Sequence, residues 1–267
     1  HEDGGTKLSK PPVKTVNFTH QVVTFDFTLL SSDFQPVRVN QKETVMRISD
    51  NLRLFVLAVL VLGAGVMRVH QAHAQQSEVL VVAGGCFWGV ESDFESVAGV
   101  TAAISGYAGG DSENPTYKQV SKGGTGHYEA VQIFFEPETV SRKTLVEMFF
   151  RSVDPTDASG QFCDRGESYR TAIFVSNSGE LALIEETKAE AQADLGQEIV
   201  TPVLQATRFH PAEAYHQDYY KGRNLVFTRF GPKRQSEAYK RYRQACGRDA
   251  RVSQLWGDAA PFAKEHE

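Results

Sequence analysis

A cysteine followed by two aromatic residues is the feature of the sequence best suited to chemistry. The string Gly85-Cys86-Phe87-Trp88-Gly89 follows the apolar run Glu78 to Ala83, which predicts a buried strand breaking into a helix that begins at Cys86. A helix N-terminus stabilises negative charge, so we expect the pKa of the Cys86 thiol to be lowered and the thiolate to act as a nucleophile. The alternative is a buried structural cysteine, a common fate of free thiols.

A carboxylate on the apolar face of a predicted strand supplies a second candidate. The segment Tyr128 to Glu136 has apolar residues at alternate positions, as expected of a strand with one buried face. Glu129 lies on the same face of this strand as Val131, Ile133 and Phe135. A carboxyl group among apolar side chains tends to stay protonated near neutral pH, and it can then serve as a general acid. The alternative is a carboxylate at the strand end that turns out to water.

The elements that must position these residues predict an α+β fold. We expect a two-layer sandwich around a mixed β-sheet, with the nucleophile at the N-terminus of the first helix and an irregular basic C-terminal tail. A doubly wound fold is the alternative. The predicted elements are a helix from Cys86 to near Gly99, a functional loop from Gly106 to Gly126, a helix capped by Ser141 that runs to Val153, a strand from Tyr169 to Val175, a helix from Glu180 to Leu195, a strand from Ile199 to Ala206 and a short helix from Pro211 to Tyr220.

The N-terminal part of the chain predicts export. Arg47 and Arg53 precede the uncharged apolar run Leu54 to Met67, and Ala72-His73-Ala74 follows, which is the order of a secretory signal peptide over residues 46–74. Cleavage would leave residues 75–267 as a catalytic domain that is periplasmic or secreted, and an uncleaved membrane anchor is the alternative. Residues 1–45 are interpreted as an upstream extension outside the mature protein, although an extension that docks on the domain is also consistent with the sequence.

Composition narrows the class of partner. The chain of 267 residues has a formal net charge of −5 and 41% hydrophobic residues. A mildly acidic chain of globular composition argues against nucleic acid as an obligate partner.

Several ordered motifs resemble a known family, the class A peptide methionine sulfoxide reductases. The resemblance covers the segment from Glu78 to about Gly257. Its marks are GCFWG at residues 85–89, GYAGG at 106–110, NPTY at 114–117, GHYE at 126–129, DRGESYR at 164–170 and AEAYHQDYY at 212–220. Two departures are Cys163, where many relatives carry Asn, and Tyr128, which replaces a frequent Ala.

The resemblance implies an enzyme that reduces methionine-S-sulfoxide in proteins and peptides. Cys86 would attack the sulfoxide sulfur and become a sulfenic acid, while protonated Glu129 gives its proton to the departing oxygen. Further roles follow from the same likeness: Tyr117 and Tyr169 would hydrogen-bond that oxygen, Phe87 and Trp88 would form the pocket for the S-methyl group, and Asp164 would orient the substrate. The resemblance implies no metal and no bound organic cofactor, a thioredoxin or another dithiol as reductant, oxidised proteins and peptides as substrates, no stable membrane partner, and a monomer.

The three cysteines leave the recycling step open. A sulfenic acid is usually resolved by a second thiol, and Cys246 and Cys163 are the two candidates. Many relatives carry their resolving cysteine near the C-terminus, which favours Cys246, with Cys163 as an alternative resolving thiol or a bystander. A structural disulfide between these two is also allowed in an oxidising compartment.

Three other functions compete with this interpretation. A secreted binding protein with a degenerate site would lack turnover. A zinc protein would use a cysteine with His127, His210 and His216, whose spacing matches no familiar zinc pattern. A thioredoxin-like oxidoreductase would need a Cys-x-x-Cys motif, which the sequence does not contain.

Overall fold

The computed structural model describes residues 77–229 and 231–263, together with residue 55. The predicted extension and signal peptide lie outside the described residues, apart from residue 55, so the boundaries at residues 45 and 74 stay predictions. Within the described part of the chain, no helix is both long enough and apolar enough to cross a membrane.

A six-stranded mixed sheet forms the centre of the domain. Its strand order is β7-β6-β1-β3-β2-β8, and every neighbouring pair is antiparallel except β6 and β7. The strands are Glu78–Gly84 (β1), Val100–Ala108 (β2), Tyr128–Phe135 (β3), Gly160–Gln161 (β4), Asp164–Arg165 (β5), Thr171–Val175 (β6), Val203–Gln205 (β7), His210–Pro211 (β8), Leu225–Thr228 (β9) and Gly231–Arg234 (β10). Two small antiparallel pairs, β4 with β5 and β9 with β10, lie outside the main sheet.

The helices begin and end at residues suited to those positions. The α-helices are Phe87–Glu95 (α1), Tyr117–Lys122 (α2), Arg142–Ser152 (α3), Ser178–Leu195 (α4), Gln235–Cys246 (α5) and Arg248–Trp256 (α6). Ser141 caps α3 by accepting the Thr144 N–H at 3.1 Å, and Asn177 caps α4 by accepting the Glu180 N–H at 2.9 Å. Short 3₁₀ turns occur at Glu167–Tyr169, Tyr219–Lys221 and Gly257–Ala259.

The two faces of the sheet differ in what covers them. One face carries the large apolar side chains of alternate strand positions, which pack in one core with residues of α1, α3 and α4. The opposite face carries mainly small residues with Tyr128 and Phe174, and residues from Leu204 to Phe209 pack against it. Glu129 has the same parity as Val131 and Ile133, so its side chain belongs to the helix-covered face.

The α+β fold with a mixed sheet is confirmed, whereas several local predictions are wrong. The predicted loop from Gly106 to Gly126 contains the end of β2 and all of α2, and β2 was not predicted at all. Tyr169 ends a 3₁₀ turn rather than starting a strand, α1 ends at Glu95 rather than near Gly99, and the strand predicted over residues 199–206 is only Val203–Gln205. Pro211 belongs to the edge strand β8 instead of a helix, because its missing N–H is tolerated at a sheet edge.

The C-terminal tail is ordered rather than irregular. The β9–β10 hairpin leads directly into α5, and α6 follows after Gly247. The guanidinium of Arg243 on α5 is 4% exposed and donates to Asp93 on α1 at 2.7 Å and to Asp249 on α6 at 2.6 Å. A charged group buried at this depth needs such partners. These ion pairs therefore fix the tail against the first helix, which begins directly after Cys86.

Candidate active site

Cys86 lies at the junction between β1 and α1. The preceding Gly85 has φ +80°, and a Cβ there would meet the Gln161 side chain at 2.5 Å, so this turn requires glycine. Cys86 occupies the N-cap position of α1. Its thiol is half-buried. Among the described residues, Cys86 is the one cysteine that is not in a disulfide.

The electrostatic surroundings of Cys86 differ from the prediction. Burial raises the pKa of the thiol well above its usual value, and the nearby carboxyl groups of Glu129 and Asp164 raise it further. Hydrogen bonds with the Trp88 amide and with Tyr242 act in the opposite direction without reversing the shift. The prediction of a lowered pKa is therefore wrong for the free site, because desolvation outweighs the effect of the helix N-terminus. The resting thiol is protonated at neutral pH.

Glu129 lies beside this thiol because of the sheet register. It is the second residue of β3, and antiparallel pairing brings the start of β3 next to the end of β1. Its side chain is 1% exposed, and its Oε2 accepts the Phe87 N–H at 3.1 Å. Burial is the largest influence and raises the pKa of Glu129 to about 8, although the hydrogen bonds from Phe87 and Tyr169 lower it. The carboxyl group is therefore protonated at neutral pH, as predicted.

Two tyrosines adjoin this carboxyl group. Tyr117 is the first residue of α2, and its backbone N–H donates to Glu213 Oε1 at 2.9 Å. The side chains of Tyr117 and Tyr169 hydrogen-bond to each other, and Tyr169 also bonds to Glu129. Burial raises the pKa of both phenols, so each remains a neutral donor. The site thus combines one thiol, one neutral carboxyl and two hydroxyl groups.

Aromatic rings form an apolar wall next to these polar groups. Phe87 is 1% exposed, and its ring centroid lies 6.3 Å from that of Trp88. The Trp88 indole stacks on Tyr219, with centroids 3.7 Å apart and an interplanar angle of 7°. Tyr242 meets the indole edge-on at 6.2 Å. An apolar wall beside a nucleophile suits a small apolar group of a substrate.

The sequence pattern of a known family coincides with this whole arrangement. A model of the peptide methionine sulfoxide reductase family matches residues 78–257, from the start of β1 to the end of α6. The chain belongs to this family. It is an oxidoreductase that reduces methionine sulfoxide and so repairs oxidised methionine.

Individual members of the family are similar over most of the domain. Peptide methionine sulfoxide reductase MsrA 2 of Rhizobium meliloti is 48% identical over 195 residues, which cover 73% of this chain and 91% of the relative. The MsrA of Bacillus licheniformis is 42% identical over 186 residues, covering 69% of this chain and 96% of that protein. The reduced form of Mxr1 from Saccharomyces cerevisiae is a similar solved structure, with a TM-score of 0.53 and 29% identity over 56% of this chain and 87% of that one.

In this methionine sulfoxide reductase, the Asp164 carboxylate is hydrogen-bonded to a residue of the C-terminal tail. The Tyr242 hydroxyl donates to Asp164 Oδ2, and Tyr242 also hydrogen-bonds to Cys86. Burial raises the pKa of Asp164, while Tyr242 and the guanidinium of Arg248 oppose that shift. Tyr242 is a site residue that was not predicted from the sequence, although its position four residues before Cys246 on a helix would place both on one face.

The two remaining cysteines are joined to each other. Cys163 and Cys246 form a disulfide with their Cα atoms 4.9 Å apart. Cys163 is exposed and Cys246 is half-buried. Cys246 also lines a small cavity together with Cys86 and Asp164. The pairing considered as a structural disulfide is therefore the one observed, and it lies against the reductase site.

The histidines proposed for zinc are not gathered into one site. His127 is held by the Gly110 N–H at 3.2 Å, with His210 edge-on at 5.6 Å, whereas His216 accepts the Trp88 indole N–H. In the described part of the chain, two groups of potential ligands come together, and neither contains a histidine: Cys163, Asp164 and Cys246, and Glu91, Glu95 and Asp218. In the group of Cys163, Asp164 and Cys246, the two cysteines are joined in the disulfide. In the group of Glu91, Glu95 and Asp218, the Lys221 ammonium lies 2.7 Å from Glu95 and 2.8 Å from Asp218.

Proposed function

We propose that the chain reduces the S epimer of methionine sulfoxide in peptides and proteins with Cys86 as nucleophile and Glu129 as general acid. The observation that carries this assignment is the position of the buried Glu129 carboxyl group, which accepts the N–H of Phe87, the residue next to the half-buried Cys86. Burial raises the pKa of this carboxyl group to about 8. The Cys86 sulfur attacks the sulfoxide sulfur, and the sulfoxide oxygen leaves as water with the thiol proton and the proton of Glu129. A water molecule then attacks the Cys86 sulfur and returns a proton to Glu129. The bond between Cys86 and the substrate sulfur breaks, methionine leaves, and Cys86 becomes a sulfenic acid.

The side chains around Cys86 and Glu129 have proposed roles in substrate binding. Phe87 and Trp88 accommodate the S-methyl group, supported by the apolar wall that they form. Tyr117 and Tyr169 donate to the sulfoxide oxygen, supported by their neutral hydroxyl groups next to Glu129. Asp164 orients the substrate backbone, which requires Tyr242 to give up its hydrogen bond to that carboxylate.

The disulfide supports a two-step recycling route. Cys246 attacks the Cys86 sulfenic acid, which releases water and forms a Cys86–Cys246 disulfide. Cys163 then attacks the Cys246 sulfur, and Cys86 leaves as a thiol. The resulting Cys163–Cys246 disulfide has one exposed sulfur, at Cys163, within reach of an external reductant.

The reductant, location and assembly are part of the same proposal. A thioredoxin-like dithiol protein would open the disulfide, with no metal and no bound organic cofactor taking part. The residue order from Arg47 to Ala74 supports export to the periplasm or the medium. Oxidised proteins and peptides are the substrates, and the catalytic domain acts as a monomer.

A stoichiometric assay tests the central assignment. The prereduced enzyme is mixed with a methionine sulfoxide peptide of known epimer, without any reductant, and the methionine formed per enzyme is measured. We expect the S epimer to be reduced, the R epimer to persist, and Cys86→Ser to form no methionine while keeping a cooperative unfolding transition. Methionine formation by Cys86→Ser, or equal consumption of both epimers, would contradict the proposal.

A further inference from the structure

The orientation of the Trp88 indole depends on one directional contact. Its N–H donates to His216 Nδ1 at 3.2 Å. Its other ring contacts are the stack on Tyr219, the edge of Tyr242 and the tilted ring of Phe87. Stacked rings can slide and rotate against each other at small energetic cost, whereas a hydrogen bond defines the direction of a single N–H group. His216 therefore determines how the indole is turned within its plane.

His216 is suited to act as a permanent acceptor. The residue is 1% exposed, and burial lowers its pKa to about 4, although Glu213 acts in the opposite direction. The imidazole is therefore neutral under ordinary conditions. Because Nδ1 accepts the indole N–H, the proton of the neutral ring is on Nε2. Among the described residues Nε2 has no hydrogen-bond partner.

An unpaired buried N–H group is unfavourable, so packing alone does not account for histidine at this position. Leaving a buried donor unsatisfied costs about 1–3 kcal/mol, and a phenylalanine would fill similar space without such a donor. The histidine provides only one described hydrogen bond through its side chain, the one to Trp88. The benefit of the histidine therefore lies in that acceptor.

The ring of His216 also contacts two other residues of the proposed pocket. Its centroid lies 5.0 Å from that of Phe87 and 4.4 Å from that of Tyr117. A shift of the imidazole would thus move the apolar wall and one of the hydroxyl donors together.

The turn that carries His216 is anchored to the sheet and to α1. The side chain of Gln217 makes two hydrogen bonds to the Ser105 backbone, at 3.0 and 2.9 Å. The Asp218 N–H donates to Glu91 Oε1 at 2.6 Å. The acceptor is therefore held by β2 and α1 independently of the indole that it orients.

We infer that His216 is a positioning residue that orients Trp88 and thereby restricts the S-alkyl pocket to a methyl group. This inference rests on the proposed role of Trp88 as a wall of that pocket. Among the described residues, neither Cys86 nor Glu129 hydrogen-bonds to the imidazole. Loss of the acceptor should consequently affect recognition of the alkyl group more than the chemical step.

Two variants separate the acceptor from the ring. His216→Phe keeps an aromatic ring and removes the acceptor, whereas His216→Asn removes the ring and retains an amide oxygen close to the position of Nδ1. Kinetics with dithiothreitol are compared for a methionine sulfoxide peptide and its S-ethyl homologue. For His216→Phe we expect KM for the methyl substrate to rise about tenfold, the effect of one buried hydrogen bond, with kcat within about threefold of wild type. The preference for methyl over ethyl should fall several-fold, and His216→Asn should restore most of both properties.

Indole N–H signals provide a direct readout of the contact. The chain has two tryptophans, so ¹⁵N-tryptophan labelling gives two indole cross-peaks, and Trp88→Phe identifies the one from Trp88. We expect at least tenfold faster hydrogen exchange of the Trp88 indole in His216→Phe and near-wild-type exchange in His216→Asn.

The outcomes distinguish this inference from the proposed pocket. If Trp88→Ala retains the preference for methyl, the pocket assignment itself is wrong. If Trp88→Ala loses that preference while His216→Phe keeps it, the inference about His216 is overturned and the pocket stands. If neither His216 variant folds, the histidine is a structural residue and the inference is likewise overturned.

Discussion

Replacement of Glu129 by glutamine should change how the stability of the enzyme depends on pH. Burial raises the pKa of this carboxyl group from 4.5 to about 8, so the folded state retains a proton that the unfolded chain releases. The contribution of Glu129 to folding stability must then fall as pH rises from about 4.5 to about 8. At about 1.4 kcal/mol for each pKa unit, the full effect is about 5 kcal/mol. Glutamine preserves an acceptor for the Phe87 N–H and does not ionise.

Denaturant unfolding at pH 5 and pH 9 measures this effect. The difference in unfolding free energy between Glu129→Gln and wild type should shift in favour of the variant by several kcal/mol at pH 9. Glu91 is also buried with a pKa of about 7, but it is present in both proteins and cancels in the difference. The exposed Glu138→Gln serves as a matched control and should show no such shift. A difference that is independent of pH would refute the conclusion that Glu129 is neutral in the folded site.

Further predictions concern catalysis, recycling and processing. Glu129→Gln should slow the single-turnover sulfoxide step about 10²–10⁴-fold, and a wild-type rate in stopped-flow measurements would contradict the acid role. Cys246→Ser should reduce one equivalent of sulfoxide and stall as a Cys86 sulfenic acid with a protein dithiol, whereas Cys163→Ser should accumulate a Cys86–Cys246 disulfide. Peptide mapping by mass spectrometry checks both, and stalling of Cys163→Ser as a sulfenic acid while Cys246→Ser cycles would reverse the assignment. The exported protein should begin at Gln75, and N-terminal sequencing that finds residues 1–45 would disprove the predicted cleavage.

The positions of the residues proposed to carry the chemistry could be predicted because local sequence patterns identify them. The break from β1 to α1 at Cys86 follows from an apolar run that ends in glycines, and the burial of Glu129 follows from strand parity alone. The pKa of Cys86 could not be predicted in the same way. Its direction depends on burial and on Glu129 and Asp164, which fold back from elsewhere in the chain.

Elements stabilised by distant partners were the ones that sequence analysis missed. β2 contains mainly small and weakly patterned residues, and it forms because it pairs with β3 and β8. The basic segment that becomes α5 has no strong apolar stripe, and its buried Arg243 depends on Asp93, which lies 150 residues earlier. Tyr242 likewise becomes part of the site only when α5 packs there.

The disulfide that lies against the reductase site also links the stability of the enzyme to its redox state. Cys163 and Cys246 are separated by 83 residues. A crosslink across a loop of that length lowers the entropy of the unfolded chain and so stabilises the folded state by about 4.5 kcal/mol. For a domain of this size the corresponding change in melting temperature is on the order of 10 °C. In the proposed recycling route each catalytic cycle would therefore pass between a more and a less heat-resistant form, and a melting curve taken during turnover would report the fraction of enzyme whose disulfide has not yet been reduced.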